Sequence, residues 1–113
     1  FIMAISSARL TTTGDELVYE SSGNNAIVTM MICNTGTPDN TDETVNTSNI
    51  TINLVPDGGV STITNTVVSN LVVPAGETVI FSDEKIVLED GDSIRATASQ
   101  SNLISITVST LPV

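Results

Sequence analysis

The 113-residue sequence offers few side chains of the kinds that enzymes use for catalysis. It contains no histidine, which excludes Ser-His-Asp triads and histidine metal sites. Its one cysteine, Cys33, cannot form an intrachain disulfide or a multi-cysteine zinc site. A reactive thiol needs a neighbouring base or a positive field, and Cys33 instead ends the most apolar segment of the chain. We therefore predict a buried, inert thiol at this position.

A first group of carboxylates, Glu89, Asp90 and Asp92, has the residue types of an acid–base pair. Such a pair needs one carboxyl group removed from water and the other kept ionised. These residues instead flank Gly91 in a typical turn sequence, where aspartates cap the backbone and face solvent. The spacing therefore favours a turn, and we predict no catalytic residue here.

A second acidic group lies in the polar segment 34–49, which shows no hydrophobic periodicity. Asp39, Asp42 and Glu43 supply the hard oxygen atoms that Ca²⁺ prefers, but the spacing is not that of an EF-hand loop. We interpret 34–49 as a long, exposed acidic loop. The sequence therefore predicts no metal site and no cofactor.

The charge balance excludes two classes of partner. The net charge is −10, with only Arg9, Lys85 and Arg95 as cations. A direct nucleic-acid partner normally needs a basic patch, which this chain lacks. No apolar run reaches the ~18 residues that span a bilayer, so we predict no membrane partner.

Val, Ile and Thr dominate the sequence, and these β-branched residues favour strands over helices. Apolar and polar residues alternate in short segments separated by turn residues. The predicted strands are 17–20, 26–33, 49–55, 66–73, 78–82, 86–88, 93–99 and 104–109. We therefore predict one all-β domain over residues 1–113, an antiparallel, jelly-roll-like β-sandwich of about seven or eight strands with essentially no helix.

Individual strands allow more specific predictions. In 49–55, Ile50, Ile52 and Leu54 should face inward, with Asn53 pointing outward. Segment 26–33 is apolar at nearly every position, which predicts a strand covered on both faces. The cover could be two core layers, or one core layer and one subunit contact.

The N-terminal residues Phe1, Ile2, Met3 and Ile5 form a short apolar stretch. A domain already filled by its other strands leaves little room for all four side chains, so residues 1–6 could be an arm that docks on a neighbouring subunit. A terminal strand that completes its own sandwich explains the same pattern equally well.

Several motifs together resemble a known group of proteins. They are Ile32–Thr35 (ICNT), Val55–Gly59 (VPDGG), Val73–Thr78 (VPAGET) and Ile86–Ala96 (IVLEDGDSIRA). From about Leu10 onward the chain resembles small tailed-phage virion accessory proteins of β-sandwich type. The resemblance implies an accessory subunit of the particle and brings no catalytic residues.

From this resemblance we expect a non-enzymatic virion structural protein on the outer surface of the particle. The expected role is a capsid decoration (cement) subunit, acting as a homo-oligomer and bridging the major capsid protein or other virion subunits. A neck, tail or baseplate accessory protein is the first alternative. A β-sandwich glycan-binding or adhesin domain is the second, and Tyr19 would be the one aromatic ring available to a sugar.

Overall fold

The computed structural model describes residues 4–82 and 86–113. These ranges contain no helix, and so none that could cross a bilayer. The nine strands are β1 (Ala4–Arg9), β2 (Glu16–Glu20), β3 (Asn25–Asn34), β4 (Ser48–Val55), β5 (Thr66–Val73), β6 (Thr78–Phe81), β7 (Ile86–Leu88), β8 (Ser93–Ala98) and β9 (Ile104–Pro112). The predicted all-β class is confirmed. The sequence had left open whether the N-terminal residues form a strand of their own sandwich, and β1 shows that residues 4–9 do.

The strands form two antiparallel sheets. The five-stranded sheet has the order β1-β9-β3-β6, with β7 also paired to β3. The four-stranded sheet has the order β2-β8-β4-β5. Because β6 and β7 pair with different halves of β3, they act as one interrupted strand. Counted in that way, the strand order is that of a jelly roll, as predicted.

The core lies between the two sheets and comes from the inward side of each alternating strand. The predicted inward residues of β8 and β9 are all buried: Ile94, Ala96, Ala98, Ile104, Ile106 and Val108. Ile50 and Ile52 of β4 are also buried, and Leu54 packs against the same cluster. Leu10, directly after β1, is fully buried and so anchors the end of β1 to the core.

Strand β3 corrects one prediction. Ile27, Met30 and Ile32 are buried, but Met31 and Cys33 on the opposite face are partly exposed. The chain therefore does not supply two core layers around β3, because only one face of the five-stranded sheet packs against the other sheet. The prediction of a buried Cys33 thiol is wrong for the same reason.

Asn53 corrects the reading of β4. It follows the outward side of the strand but is buried, because the loop between β4 and β5 folds over it. Its Nδ2 donates to the carbonyl oxygen of Thr62 at 2.9 Å and to Oδ1 of Asn65 at 2.8 Å. A polar side chain on an outer face thus fastens a loop to its own sheet.

Candidate interaction surface

The outward side chains of the five-stranded sheet form a continuous surface, which we call the neutral face. Its members alternate away from the core on β1, β9, β3, β6 and β7. They are Ile5, Ser7, Arg9, Ala26, Thr29, Met31, Cys33, Thr78, Ile80, Val87, Ser105, Thr107, Ser109 and Leu111. The surface therefore combines aliphatic side chains with small hydroxyl side chains.

Strand register places the apolar members of this face side by side. Met31 pairs with Ile80 on one side and with Thr107 on the other. Ala26 pairs with Val87 and Leu111 farther along β3. Ile80 is 58% exposed and Val87 is 59% exposed, although both lie within paired strands. Exposed aliphatic side chains in adjacent positions are typical of a contact surface.

The one charged side chain on the described part of the neutral face is Arg9, and it is held against the sheet. Its Nη1 donates to the Ser105 hydroxyl at 3.1 Å, and its Nη2 donates to the Thr35 hydroxyl at 3.2 Å and to the Asn102 carbonyl oxygen. The guanidinium therefore holds β1 against β9, against Thr35 just after β3 and against Asn102 in the loop before β9.

Carboxylates lie elsewhere on the molecule. In the described residues they occupy the loops and turns at the two ends of the sandwich and the β2 side of the four-stranded sheet: Asp15, Glu16, Glu20, Asp39, Asp42, Glu43, Asp57, Glu77, Glu89, Asp90 and Asp92. None belongs to the neutral face. The described part of the chain thus has one broad side without a carboxylate, although the net charge of the chain is −10.

One residue of the expected N-terminal docking arm, Ile5, lies on the neutral face. Phe1, Ile2 and Met3 lie outside the described residues. Ile5 is 76% exposed on the neutral face, opposite Ser109 of β9. The segment that begins at Ala4 therefore completes its own sheet, and its Ile5 side chain remains exposed to solvent.

The acidic loop between β3 and β4 is shaped by its own carboxylates. Oδ1 of Asp39 accepts hydrogen bonds from the Thr41 amide and hydroxyl, both at 2.7 Å. Oδ1 of Asp42 accepts from the Thr44 amide at 2.9 Å and from the Thr44 hydroxyl at 2.6 Å. These bonds, the hydroxyl bond first, hold the pKa of each aspartate below its ordinary value. No group of three metal-ligating side chains forms within residues 4–82 and 86–113.

Asn34 connects this loop to the rest of the sandwich, and the sequence analysis did not single it out. Its side chain is fully buried. Nδ2 donates to the carbonyl oxygens of Asn46 at 2.8 Å and Val73 at 2.9 Å, and Oδ1 accepts from the Gly36 amide at 2.8 Å. A polar residue that ends an apolar strand, two positions before a glycine, is the signal that could have indicated it.

The turn after β7 uses its carboxylates to bind backbone amides, as the turn interpretation predicted. Oδ1 of Asp92 accepts from the Asp57 amide and Oδ2 accepts from the Glu89 amide, both at 2.9 Å. Oδ1 of Asp90 accepts from the Gly23 amide at 2.8 Å. These acids therefore join three turns at one end of the sandwich.

Tyr19 is the aromatic residue that the glycan-binding alternative required. It is half-buried, packs against the core cluster and pairs with Ile94 across a bulge in β2. A ring in that position does not offer a free platform on which a sugar could stack. Lys85 lies outside the described residues.

Comparison with known proteins adds a structural likeness. No family model matches the sequence, and no curated protein matches it. A chain from the acidic stable capsid structure of Helicobacter pylori bacteriophage KHP30 is similar in structure, with a TM-score of 0.58 and 11% sequence identity. The similarity covers 100% of this chain and 90% of that chain. At this identity the likeness concerns the fold: the whole sandwich is shared with a chain of a phage capsid structure.

Proposed function

We propose that this chain is a non-enzymatic structural protein of a bacteriophage virion. The observation that carries the proposal is the end-to-end structural likeness to a chain of a phage capsid structure. The sequence motifs led to the same class of protein independently. Within that class we propose a capsid decoration subunit on the outer surface, which stabilises the shell by bridging neighbouring subunits.

The distribution of surface chemistry supports this role. A subunit that binds only the assembled shell stabilises that shell by mass action. Many copies bound at once make individually weak contacts durable. The neutral face supplies an apolar contact surface, and the acidic ends keep the free subunit soluble through mutual repulsion. The same acidic ends disfavour contact with genome phosphates, which suits an external position.

The proposed partners are the major capsid protein or other virion subunits, together with further copies of this chain. The proposed contact residues are those expected from the sequence, Phe1, Ile2, Met3 and Ile5. The neutral face around Ile80 joins them, because Ile5 lies on the same side of the molecule.

The direct test is the position of the chain in density for the intact particle. Copies at three-fold or quasi-three-fold positions of an icosahedral shell would support decoration. A ring around the tail axis would instead assign the chain to the neck, tail or baseplate. Absence of the chain from purified particles would contradict both assignments.

Reconstitution supplies a second, quantitative test. Purified protein is added to shells that lack it, and the loss of packaged genome on heating is measured with and without the added subunit. We expect saturable binding and a higher temperature of genome release. Binding without any gain in shell stability would contradict the cement role while leaving a virion location intact.

A further inference from the structure

We infer that the neutral face packs against the neutral face of a second copy of the same chain. This inference rests on the proposed function only in taking the face as a subunit contact, and it names the partner. The two sheets would stack face to face, in the way that the sheets of a sandwich stack about 10 Å apart.

Electrostatic repulsion favours this contact over the alternatives. Two copies of charge −10 repel each other, and the repulsion depends on which surfaces meet. Contact through either end of the sandwich would bring carboxylates together: Glu20, Asp57 and Asp90 at one end, or Asp39, Glu43 and Glu77 at the other. Contact through the neutral faces leaves these groups outside the contact itself, where solvent salt can screen them over about 8 Å.

The charge of a partner decides how much it gains from a surface without carboxylates. A basic partner would be attracted to the acidic ends and would gain nothing from a face without carboxylates. A partner that is itself strongly acidic gains most, because it meets no carboxylate of the described residues on this side. A second copy of the chain, with its net charge of −10, is such a partner.

The area of the neutral face limits how tightly two copies can associate. Strands lie about 4.8 Å apart and rise about 3.4 Å per residue, so four strands of about seven residues present roughly 450 Å². A stable protein interface buries about 800 Å² on each partner. The face is therefore large enough for a weak, reversible dimer in solution, which becomes durable when many copies are held on a particle.

The salt dependence of association tests the electrostatic argument. The full chain is studied by sedimentation equilibrium over a range of concentrations, at about 20 mM and about 500 mM NaCl, where the screening length differs severalfold. We expect a monomer–dimer equilibrium that tightens several-fold at the higher salt concentration. A chain that stays monomeric at millimolar concentration, or a dimer that weakens with salt, would overturn the inference.

A matched pair of variants tests the location of the contact. Ile80→Asp adds a carboxylate to the neutral face on the edge strand β6, next to Met31 of β3, whereas Val72→Asp adds one to the outer side of the four-stranded sheet. The two positions are comparably exposed, 58% for Ile80 and 54% for Val72, so both variants should fold. Like-charge contact at the dimer interface should make Ile80→Asp dimerise at least about tenfold more weakly. Val72→Asp should change dimerisation less than about twofold by the same measurement.

Equal effects of the two substitutions would overturn the inference, because a general charge effect would then explain both. Val87→Asp repeats the test at a second neutral-face position if Ile80→Asp melts at a lower temperature than Val72→Asp. The single thiol, Cys33, gives a separate readout, since its reaction with a maleimide should slow as the dimer forms. If Ile80→Asp is monomeric but still binds shells, the proposed function stands and shell binding does not require self-association.

Discussion

The hydrogen bonds of Asn34 join three parts of the structure: the end of β3, the acidic loop and the end of β5. Its substitution by alanine should lower the free energy of unfolding by about 2–3 kcal/mol, because buried carbonyl oxygens lose their donor. Urea unfolding measures the change. Asn40→Ala, in the exposed part of the same loop, should change stability by less than about 0.5 kcal/mol. Similar losses for both variants would show that Asn34 contributes no more than a surface side chain.

Gly91 shows how a turn restricts residue type. It has a φ of +88°, and a Cβ atom built there would lie 2.5 Å from the Asp57 carboxyl group. Gly58 has a similar φ of +78° but open space around it. Gly58→Ala should therefore cost about 1–2 kcal/mol from the left-handed conformation alone. Gly91→Ala should cost a further 1–3 kcal/mol, approximately, from overpacking.

Thermal and urea unfolding of the two glycine variants measures this difference. In the double variant Asp57→Ala/Gly91→Ala the obstructing carboxyl group is absent, so much of the additional loss should be recovered. No recovery in the double variant would place the cost in the backbone of the turn.

At the scale of strands, the sequence was informative wherever one face of a strand is buried and the other exposed. The inward residues of β8 and β9 were predicted correctly because they alternate strictly with polar residues. The sequence left the cover of β3 open between two core layers and one core layer with a subunit contact, because a continuous apolar run does not distinguish a second core layer from an exposed apolar face. The burial of Asn53 depends on how the loop after β4 folds back over the sheet, and β1 depends on its distant partner β9, and strand alternation encodes neither.

The candidate surface was predictable only in part, for the same reason. Ile5 could be singled out as an apolar residue in excess of the core. Ile80 and Val87 lie on short strands, and nothing in either local sequence indicates that both flank β3 on its outer side. The neutral face is a product of strand order, and it becomes visible only when β1, β9, β3, β6 and β7 are placed in one sheet.

Deletion of residues 1–5 separates the two roles of the N-terminal strand. The remaining part of β1 still pairs with β9, and Leu10 stays buried, so the domain should melt cooperatively, destabilised by about 1–2 kcal/mol. Binding to shells should fall, because the exposed Ile5 side chain is lost. The full chain with Ile5→Thr is the control that keeps the strand. Loss of cooperative melting in the deletion would show that residues 1–5 belong to the core.

At the scale of the whole molecule, strand order and charge act together. The jelly roll gathers its loops and turns at the two ends, and the sequence places its turn-forming aspartates and glutamates there. The same residues that cap turns therefore give each end a negative charge, while the outer side of the five-stranded sheet has no carboxylate among the described residues. One topology thus separates the charged ends from a mostly uncharged side.

The pairing of β1 with β9 also places Ala4 opposite Thr110 at one edge of the five-stranded sheet. A Gly-Ser linker that joins the end of β9 to the start of β1 should therefore allow circular permutation of the sandwich. A permutant opened in the exposed turn between Gly58 and Gly59 should keep its unfolding free energy within about 2 kcal/mol of the parent. Urea unfolding and an amide NMR spectrum measure this.

A permutant opened between Asn34 and Thr35 should be clearly less stable than one opened at Gly58. That break frees Asn34 from the chain that continues to Gly36, and it disturbs the 2.7 Å hydrogen bond from the Thr35 amide to the Leu103 carbonyl oxygen. Both permutants carry the same linker and composition, so their difference isolates the site of opening. If neither folded, the pairing of β1 with β9 would not tolerate a covalent link between the two strands.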